Sequence, residues 1–191
     1  MSDKSVNKIG KSTVPRTAIS TSDEHSITVR GEDLCNDLIG KIDFTDYFML
    51  LVTGQRPSRG DAMVLNATLV AIADHGMVPS VQAARMTFAA APDALQGAVA
   101  AGILGCGSVI LGASETAGKL FTEVEAAAKG GDLRAAALEV VKRWRAAGQP
   151  IPGYGHPLHK DRDPRVARLF AVAKEAGTSL RFIEIAEAVE Q

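Results

Sequence analysis

The amino-acid sequence predicts an all-α protein of about eight helices joined by short connectors. Apolar residues recur at helical spacing along most of the chain, glycines and prolines separate these segments, and strand-like alternation is almost absent. The 191 residues include 46% hydrophobic and 23% charged residues, which is ordinary for a globular protein. Because 21 basic residues nearly balance 22 acidic ones, the net charge does not indicate nucleic acid or an anionic membrane as a partner.

The first part of the chain is predicted to hold an arm, an extended segment and helices. Residues 1–22 are polar and lack the apolar run of a signal peptide, so we expect a flexible arm of a cytoplasmic protein. Residues 26–31 read as an extended piece and a turn, and residues 32–39 as a weak helix. Two firmer helices follow over 45–52 and 60–74.

The middle of the chain contains an uncharged segment, residues 94–114, which is long enough to span a bilayer. Five glycines and acidic flanking residues argue against spanning, and we expect a buried helix broken near residues 105–107. Within it Gly97, Ala101 and Gly105 lie four residues apart. Such a ridge of small residues fits a subunit interface or an internal helix contact equally well.

Local signals set the remaining helices. Pro79 starts a helix that runs to about Ala91, since proline is tolerated in a first turn. Residues 112–129 form a helix that ends at two glycines, and Asp132 caps the next one. Asp163 and Pro164 then provide the cap and first turn of another helix, and residues 180–190 form a last amphipathic helix.

The two cysteines, Cys35 and Cys106, lie 71 residues apart in apolar surroundings, without the spacing of a metal site. We expect buried free thiols in a reducing compartment.

Residues 152–165 form the segment richest in groups able to do chemistry. Three prolines and two glycines fix the backbone of a loop that carries two histidines and three cations: His156, His159, Lys160, Arg162 and Arg165. The cations and the helix start at Arg165 suit an anion, so we expect a ligand that carries carboxylates or phosphates. The alternative is a solvated cluster of surface charges.

Other chemistry is less well supported. His156 and His159 lack a nearby third ligand, so we expect no metal site. His75 follows an apolar helix, where it serves either as a favourable partner of the helix dipole or as a ligand group. Sequence patterns of serine or cysteine hydrolases, nucleotide-binding loops and zinc sites are absent.

Two segments carry a resemblance to a known family. Pro152-Gly-Tyr-Gly-His156, followed by Lys160 and Asp163-Pro-Arg165, resembles the signature of the citrate synthase superfamily. Ala73-Asp-His-Gly76 resembles that family's Asp-His-Glu segment, with the glycine found in the citryl-CoA lyase branch and in the lyase module of ATP citrate lyase. With residues 27–31 and 47–57, which are similar to earlier family elements, the resemblance covers about residues 26–176.

The resemblance implies a citrate synthase-like multi-helical fold, in which a large and a small domain close over a cleft, and a homodimer. We therefore expect residues 1–22 to be the arm, 23–115 the large domain and 116–191 a part of the small domain, truncated at its C-terminus.

The resemblance also implies roles for individual residues. His156 would polarise the keto or hydroxyl oxygen of the substrate, His75 would hold its dicarboxylate, and Arg165 would pair with a carboxylate. The positions that match the coenzyme A site are Lys160, Gly153 and Gly155. Coenzyme A would take part as a thioester substrate, with no tightly bound cofactor and no metal.

Two departures from the family pattern matter. True citrate synthases stabilise the acetyl-CoA enol with a histidine at the position of Ile110, whose side chain cannot donate a hydrogen bond. The family's catalytic aspartate lies beyond the equivalent of residue 191, and neither Asp161 nor Asp163 is assigned as the general base. Truncation and a non-catalytic relative both remain open, and we expect truncation.

The resemblance thus implies a citryl-CoA lyase-like enzyme that cleaves citryl-CoA to acetyl-CoA and oxaloacetate. The alternatives are a citrate or methylcitrate synthase, which condenses an acyl-CoA with oxaloacetate, and a non-catalytic relative that binds oxaloacetate and coenzyme A.

Overall fold

The computed structural model describes residues 17–74, 76–107, 111–155, 159 and 163–191. Within these ranges the protein is mostly helical, as the sequence predicts. The α-helices are α1 (Phe44–Thr53), α2 (Arg59–Ile72), α3 (Pro79–Ala90), α4 (Leu95–Leu104), α5 (Ala113–Ala128), α6 (Leu133–Ala146), α7 (Pro164–Glu175) and α8 (Arg181–Glu190).

Chain contacts divide the protein into two compact units, which meet in sequence between Asn66 and Ala67. This division falls inside α2. The arm and the two domains expected from the sequence, 1–22, 23–115 and 116–191, stay a prediction.

The first unit contains a small antiparallel sheet, formed by strands β1 (Ser20–Ser22), β2 (Ile27–Val29) and β3 (Glu32–Asp33) in that order. β2 confirms the extended piece expected at residues 26–31. β3 and a five-residue π-helix, Leu34–Leu38, occupy the segment expected to be a weak helix. β2, the π-helix and α1 pack around a small hydrophobic core, whose buried residues are Val29, Leu38 and Leu50.

The core of the second unit lies between α5, α6 and α8. Its buried residues are Leu120, Val124, Ala137, Val140, Trp144 and Ile185. Glu123 of α5 accepts hydrogen bonds from the Trp144 indole (3.1 Å) and the Arg143 guanidinium (2.6 Å). The Trp144 indole therefore lies in this core with its N–H satisfied, and the exposed Arg143 pairs with α5.

Helix ends follow the predicted local signals closely. Gly54, at φ +79°, closes α1 in the left-handed conformation. Pro79 lies in the first turn of α3. The Asp132 carboxylate accepts hydrogen bonds from the N–H groups of Arg134 and Ala135, which caps α6.

The ridge of small residues on α4 packs partly against α3. A Cβ on Gly105 would lie 3.0 Å from Ser80 Cα, and one on Gly102 would lie 3.3 Å from Ala84 Cβ, whereas the space beside Gly97 is open. Gly102 and Gly105 thus serve an internal contact. The ridge is continued at Gly97 on a surface that no described part of the chain covers.

Two expectations about burial were wrong. The helix in the uncharged segment does break where expected, since α4 ends at Leu104, but in the single chain it is not buried: Ile103 is 66% exposed and Leu104 is 86% exposed. Of the cysteines, Cys35 is exposed and Cys106 half-buried, and both are free thiols. Ile103 and Leu104, the apolar neighbours of Cys106, are exposed, and Cys35 is exposed although the nearby Leu38 is fully buried. Among the described helices, none has both the length and the apolar content to cross a membrane.

Candidate functional site

The loop that carries the first motif starts from the core of the second unit. Ile151 packs against the cluster between α5, α6 and α8. Gly153 and Gly155 follow with φ angles of +85° and +99°, and a Cβ at either position would meet no atom within 4 Å. Glycine is therefore required here by the backbone conformation, which L-residues rarely adopt, and not by lack of space. Both Gly153 and Gly155 are exposed, as contact with a ligand by their backbone requires.

Tyr154, between these two glycines, anchors the loop. Its hydroxyl donates a hydrogen bond of 2.7 Å to the backbone carbonyl of Ala186 in α8. Burial, with a smaller contribution from the negative charge of Glu190, raises the pKa of Tyr154 to about 12. The phenol therefore stays protonated, and remains a donor, throughout the physiological range.

The second half of the motif starts α7. Asp163 is the N-cap, and its Oδ1 accepts a hydrogen bond of 2.9 Å from the backbone N–H of Arg165. The same carboxylate binds the Arg165 guanidinium, with Nε–Oδ1 at 3.0 Å and Nη2–Oδ2 at 2.6 Å. Pro164 occupies the first turn, as predicted.

Arg165 also reaches the end of α2. Its Nη1 lies 3.5 Å from the backbone carbonyl oxygen of Ala71, one of the last carbonyls of that helix. A cation is favourable there because the carbonyls of a final turn lack helical partners. α2 ends at Ile72 and leads into the segment 73–76, so Arg165 contacts the helix that precedes the second motif.

That second motif begins with a tight turn. The Asp74 carboxylate accepts a hydrogen bond of 3.0 Å from the N–H of Gly76, and Gly76 has a φ of +68°. The Asp74 side chain thus binds the backbone two residues on, and glycine at 76 suits the left-handed backbone. The glutamate of the family pattern would fit this conformation poorly.

Other predicted site residues lie outside the described part of the chain. These are His75, His156 and Lys160, together with Ile110 and Asp161. Their roles stay predictions. His159 is described and half-buried.

The charge around Asp163 determines what this group can do. The Arg165 side-chain hydrogen bonds, followed by the Arg165 backbone N–H, hold the pKa of Asp163 far below its usual range, and the charge of His159 adds a smaller effect in the same direction. The Asp163 carboxylate in turn raises the pKa of Arg165, chiefly through the same side-chain hydrogen bonds. A carboxylate held so firmly in its ionised form is a poor proton acceptor, which agrees with leaving Asp163 unassigned as a base.

Two features of the site were missed from the sequence. The first is the anchoring role of Tyr154. An aromatic residue between two glycines is well placed to pack, but its partner Ala186 is 32 residues away, so the sequence does not identify the contact. The pairing of Asp163 with Arg165 was also missed, because the capping role alone explained the aspartate. An acid two residues before a first-turn arginine is a usable signal for such a pair.

Comparison of the sequence with known protein families shows to which family the chain belongs. Residues 40–191 match the family model described as citrate synthase, C-terminal domain. A search of curated protein sequences gives no significant match.

Three solved structures are similar along nearly the whole chain. Citryl-CoA lyase from Hydrogenobacter thermophilus is 32% identical with a TM-score of 0.80, and the match covers 93% of this chain and 66% of the lyase. A variant of the ATP citrate lyase of Methanosaeta concilii, in complex with (3S)-citryl-CoA, is 25% identical with a TM-score of 0.79. ATP citrate lyase from Methanothrix soehngenii, in complex with citrate and coenzyme A, is 25% identical with a TM-score of 0.76.

The coverage of the three relatives differs. The match covers 95% of this chain but 29% of each ATP citrate lyase chain. The chain thus spans about two thirds of the length of the citryl-CoA lyase and less than a third of the ATP citrate lyases. Since the family model matches most of its residues, the chain belongs to the citrate synthase family.

Proposed function

We propose that the chain forms the substrate-binding part of a citryl-CoA lyase, which cleaves citryl-CoA to acetyl-CoA and oxaloacetate. The observation that carries this proposal is the position of Arg165. Its guanidinium lies 3.5 Å from the Ala71 carbonyl at the end of α2, the helix that leads into the motif at 73–76, which supports a shared site for the two segments that resemble the family. The similarity to a citryl-CoA lyase and to an ATP citrate lyase that holds citryl-CoA supports the same choice.

The residues would divide the recognition of the substrate. Arg165 would pair with one carboxylate, and His75 would hold the dicarboxylate end. His156 would donate to the oxygen on the carbon where the bond breaks. Lys160 would contact the phosphates of coenzyme A, with the exposed backbone at Gly153 and Gly155 lining the approach of the thioester arm. Coenzyme A enters and leaves as part of substrate and product, so the proposal includes no tightly bound cofactor.

The reaction is a retro-aldol type cleavage in which atoms and charge balance. A base removes the proton of the citryl hydroxyl, and its electron pair forms the keto group of oxaloacetate. The carbon–carbon bond breaks, and its electrons leave on the acetyl-CoA fragment as an enolate. Protonation of the enolate carbon gives acetyl-CoA. A hydrogen bond from His156 would stabilise the charge that develops on the hydroxyl oxygen.

The identity of position 110 favours cleavage over synthesis. True citrate synthases carry a histidine at this position that stabilises the acetyl-CoA enol, and the citryl-CoA lyase branch lacks that histidine. Ile110 supplies no donor. A citrate or methylcitrate synthase is therefore the weaker candidate.

We also propose that two copies of the chain associate through α3 and α4. These helices pack on each other, and together they expose five large apolar side chains: Met86, Leu95, Val99, Ile103 and Leu104. A surface of this kind is typical of a protein interface. Sedimentation or light scattering should give a dimer, and a Val99→Glu change on this face should give a monomer.

The activity is tested with citryl-CoA on a C-terminally extended chain, with the 191-residue chain measured beside it. Oxaloacetate release is followed through its reduction by malate dehydrogenase and NADH, and condensation is followed through the free thiol released from acetyl-CoA or propionyl-CoA. The proposal expects cleavage that exceeds condensation. Robust condensation with rapid thioester hydrolysis would identify a synthase instead. Binding of oxaloacetate and coenzyme A without turnover, both in this chain and in a C-terminally extended one, would identify a non-catalytic relative.

A further inference from the structure

Asp163 occupies one whole edge of the Arg165 guanidinium. Nε lies 3.0 Å from Oδ1 and 3.1 Å from Oδ2, and Nη2 lies 2.6 Å from Oδ2. This is the side-on, two-pronged geometry of a strong charge-assisted pair. Nη1 points elsewhere, to the Ala71 carbonyl at 3.5 Å, which is at the outer limit of a hydrogen bond. The edge formed by Nη1 and the second hydrogen of Nη2 is the one left for a ligand.

The carboxylate that holds Arg165 is itself fixed. Its Oδ1 accepts from the Arg165 backbone N–H as the cap of α7, and only 16% of the Asp163 side chain is exposed, against 41% for Arg165. Asp163 cannot turn away to release the guanidinium without uncapping the helix. The backbone and the side chain of Arg165 therefore bind the same carboxylate. This restricts the guanidinium to a single orientation.

We infer that Asp163 is a positioning residue for substrate binding, which closes the side-on edge of Arg165 and holds Nη1 towards the Ala71 carbonyl at the end of α2. One substrate carboxylate then binds across Nη1 and Nη2, with Asp163 remaining in place on the other side. This inference rests on the proposed function, since it names the geometry by which that site takes a dicarboxylate.

Two opposing effects decide the sign of the expected change. Asp163 repels a substrate carboxylate, but the two groups sit on opposite edges of a guanidinium that is 41% exposed, where solvent screens the repulsion. Without Asp163 the arginine regains its rotamer freedom, which binding must then remove. Orientation outweighs repulsion at such an exposed site, so loss of the Asp163 charge weakens ligand binding.

The variant that separates this role from capping is Asp163→Asn. The amide oxygen of asparagine accepts the Arg165 N–H and caps α7 as well as aspartate does. Its NH₂ group, however, cannot accept from the guanidinium. The matched control is Glu175→Gln, which removes the same charge from the exposed pair that Glu175 forms with Arg168, at 2.8 Å, on the same helix.

Two measurements on the 15N-labelled 191-residue chain test the inference. The Arg165 Nε–H signal should be slowly exchanging in the wild type and in Glu175→Gln, and should exchange faster in Asp163→Asn, where Nε–H keeps only a neutral acceptor and Nη2 loses its acceptor. Titration with citrate, well below the melting temperature of every variant, should give a dissociation constant about tenfold higher for Asp163→Asn than for the wild type, with no change for Glu175→Gln.

The outcomes separate the inference from the function on which it rests. Citrate binding that is equal or tighter in Asp163→Asn overturns the positioning role and leaves the proposed function intact. Equal weakening of citrate binding in Asp163→Asn and Glu175→Gln also overturns the positioning role, because the change in net charge alone would then explain the weaker binding. A wild-type chain that binds no citrate, but still shows the protected Nε–H, overturns the proposed function and the positioning role together.

Discussion

The Tyr154 hydroxyl donates a 2.7 Å hydrogen bond to the Ala186 carbonyl, which ties the first motif loop to α8. α8 in turn contributes the fully buried Ile185 to the core of the second unit. The start of this loop is thus attached to the buried core of its unit at two points, Ile151 and Tyr154.

Tyr154→Phe should lower the free energy of unfolding by about 0.5–1.5 kcal/mol, because the Ala186 carbonyl loses its partner while the ring still packs. Urea denaturation measures this. Tyr47→Phe is the control, since the Tyr47 hydroxyl makes no hydrogen bond to the described part of the chain, and we expect a change below about 0.5 kcal/mol. Similar losses in both variants would argue against the anchor.

Ionisation of Tyr154 should be visible in a Tyr47→Phe background, where Tyr154 is the only tyrosine left of the two. Its tyrosinate absorbance should rise with a midpoint of about 12. Since the folded pKa is raised above the unfolded value of about 10, the protonated phenol contributes stability that is complete below pH 10 and lost as the pH rises through 12. A midpoint near 10 in the folded protein would show that the ring is not buried.

Alanine at Gly155 should destabilise the protein by about 1–3 kcal/mol, since the φ of +99° is unfavourable for any L-residue although the space is open. Gly118→Ala is the matched control in the interior of α5, where a Cβ also meets no atom. It should stabilise by about 0.5–1 kcal/mol. Thermal unfolding of both variants distinguishes backbone strain from a general effect of removing glycine. A stability change of the same sign in both variants would contradict the left-handed backbone at Gly155.

Alanine at Gly105 should cost about 1–3 kcal/mol, because its Cβ would lie 3.0 Å from Ser80 Cα and push α3 and α4 apart. Gly97→Ala, where the space is open, should leave the stability of the folded chain unchanged or raise it. Denaturant titration checks both variants. If Gly97→Ala also weakens the dimer measured by light scattering, the exposed part of the ridge lies in the subunit interface.

Local chemistry explains why helix boundaries were predictable from the sequence. Gly54, Pro79, Asp132 and Asp163 each satisfy or avoid a backbone hydrogen bond within a few residues, so their effect is read without knowledge of the tertiary fold. The small sheet was only partly predictable, since β1 and β3 are two or three residues long and depend on pairing with β2.

Tertiary relationships explain the rest. The contact between Arg165 and Ala71 joins residues that are 94 positions apart, and only the family resemblance suggested that their segments meet. The exposure of Ile103 and Leu104 has a similar origin, because hydrophobicity predicts that a side chain leaves water but not which surface covers it. The sequence roles of His75, His156 and Lys160 stay predictions.

The central claim is that Arg165 binds a carboxylate of the substrate, and calorimetric titration with oxaloacetate tests it most directly. The wild-type chain should bind, and Arg165→Ala should raise the dissociation constant by about 10- to 100-fold, the loss of a hydrogen-bonded charge pair of about 1.5–3 kcal/mol. Arg168→Ala, on the same helix, should bind like the wild type. Equal affinity of wild type and Arg165→Ala for oxaloacetate would contradict the account.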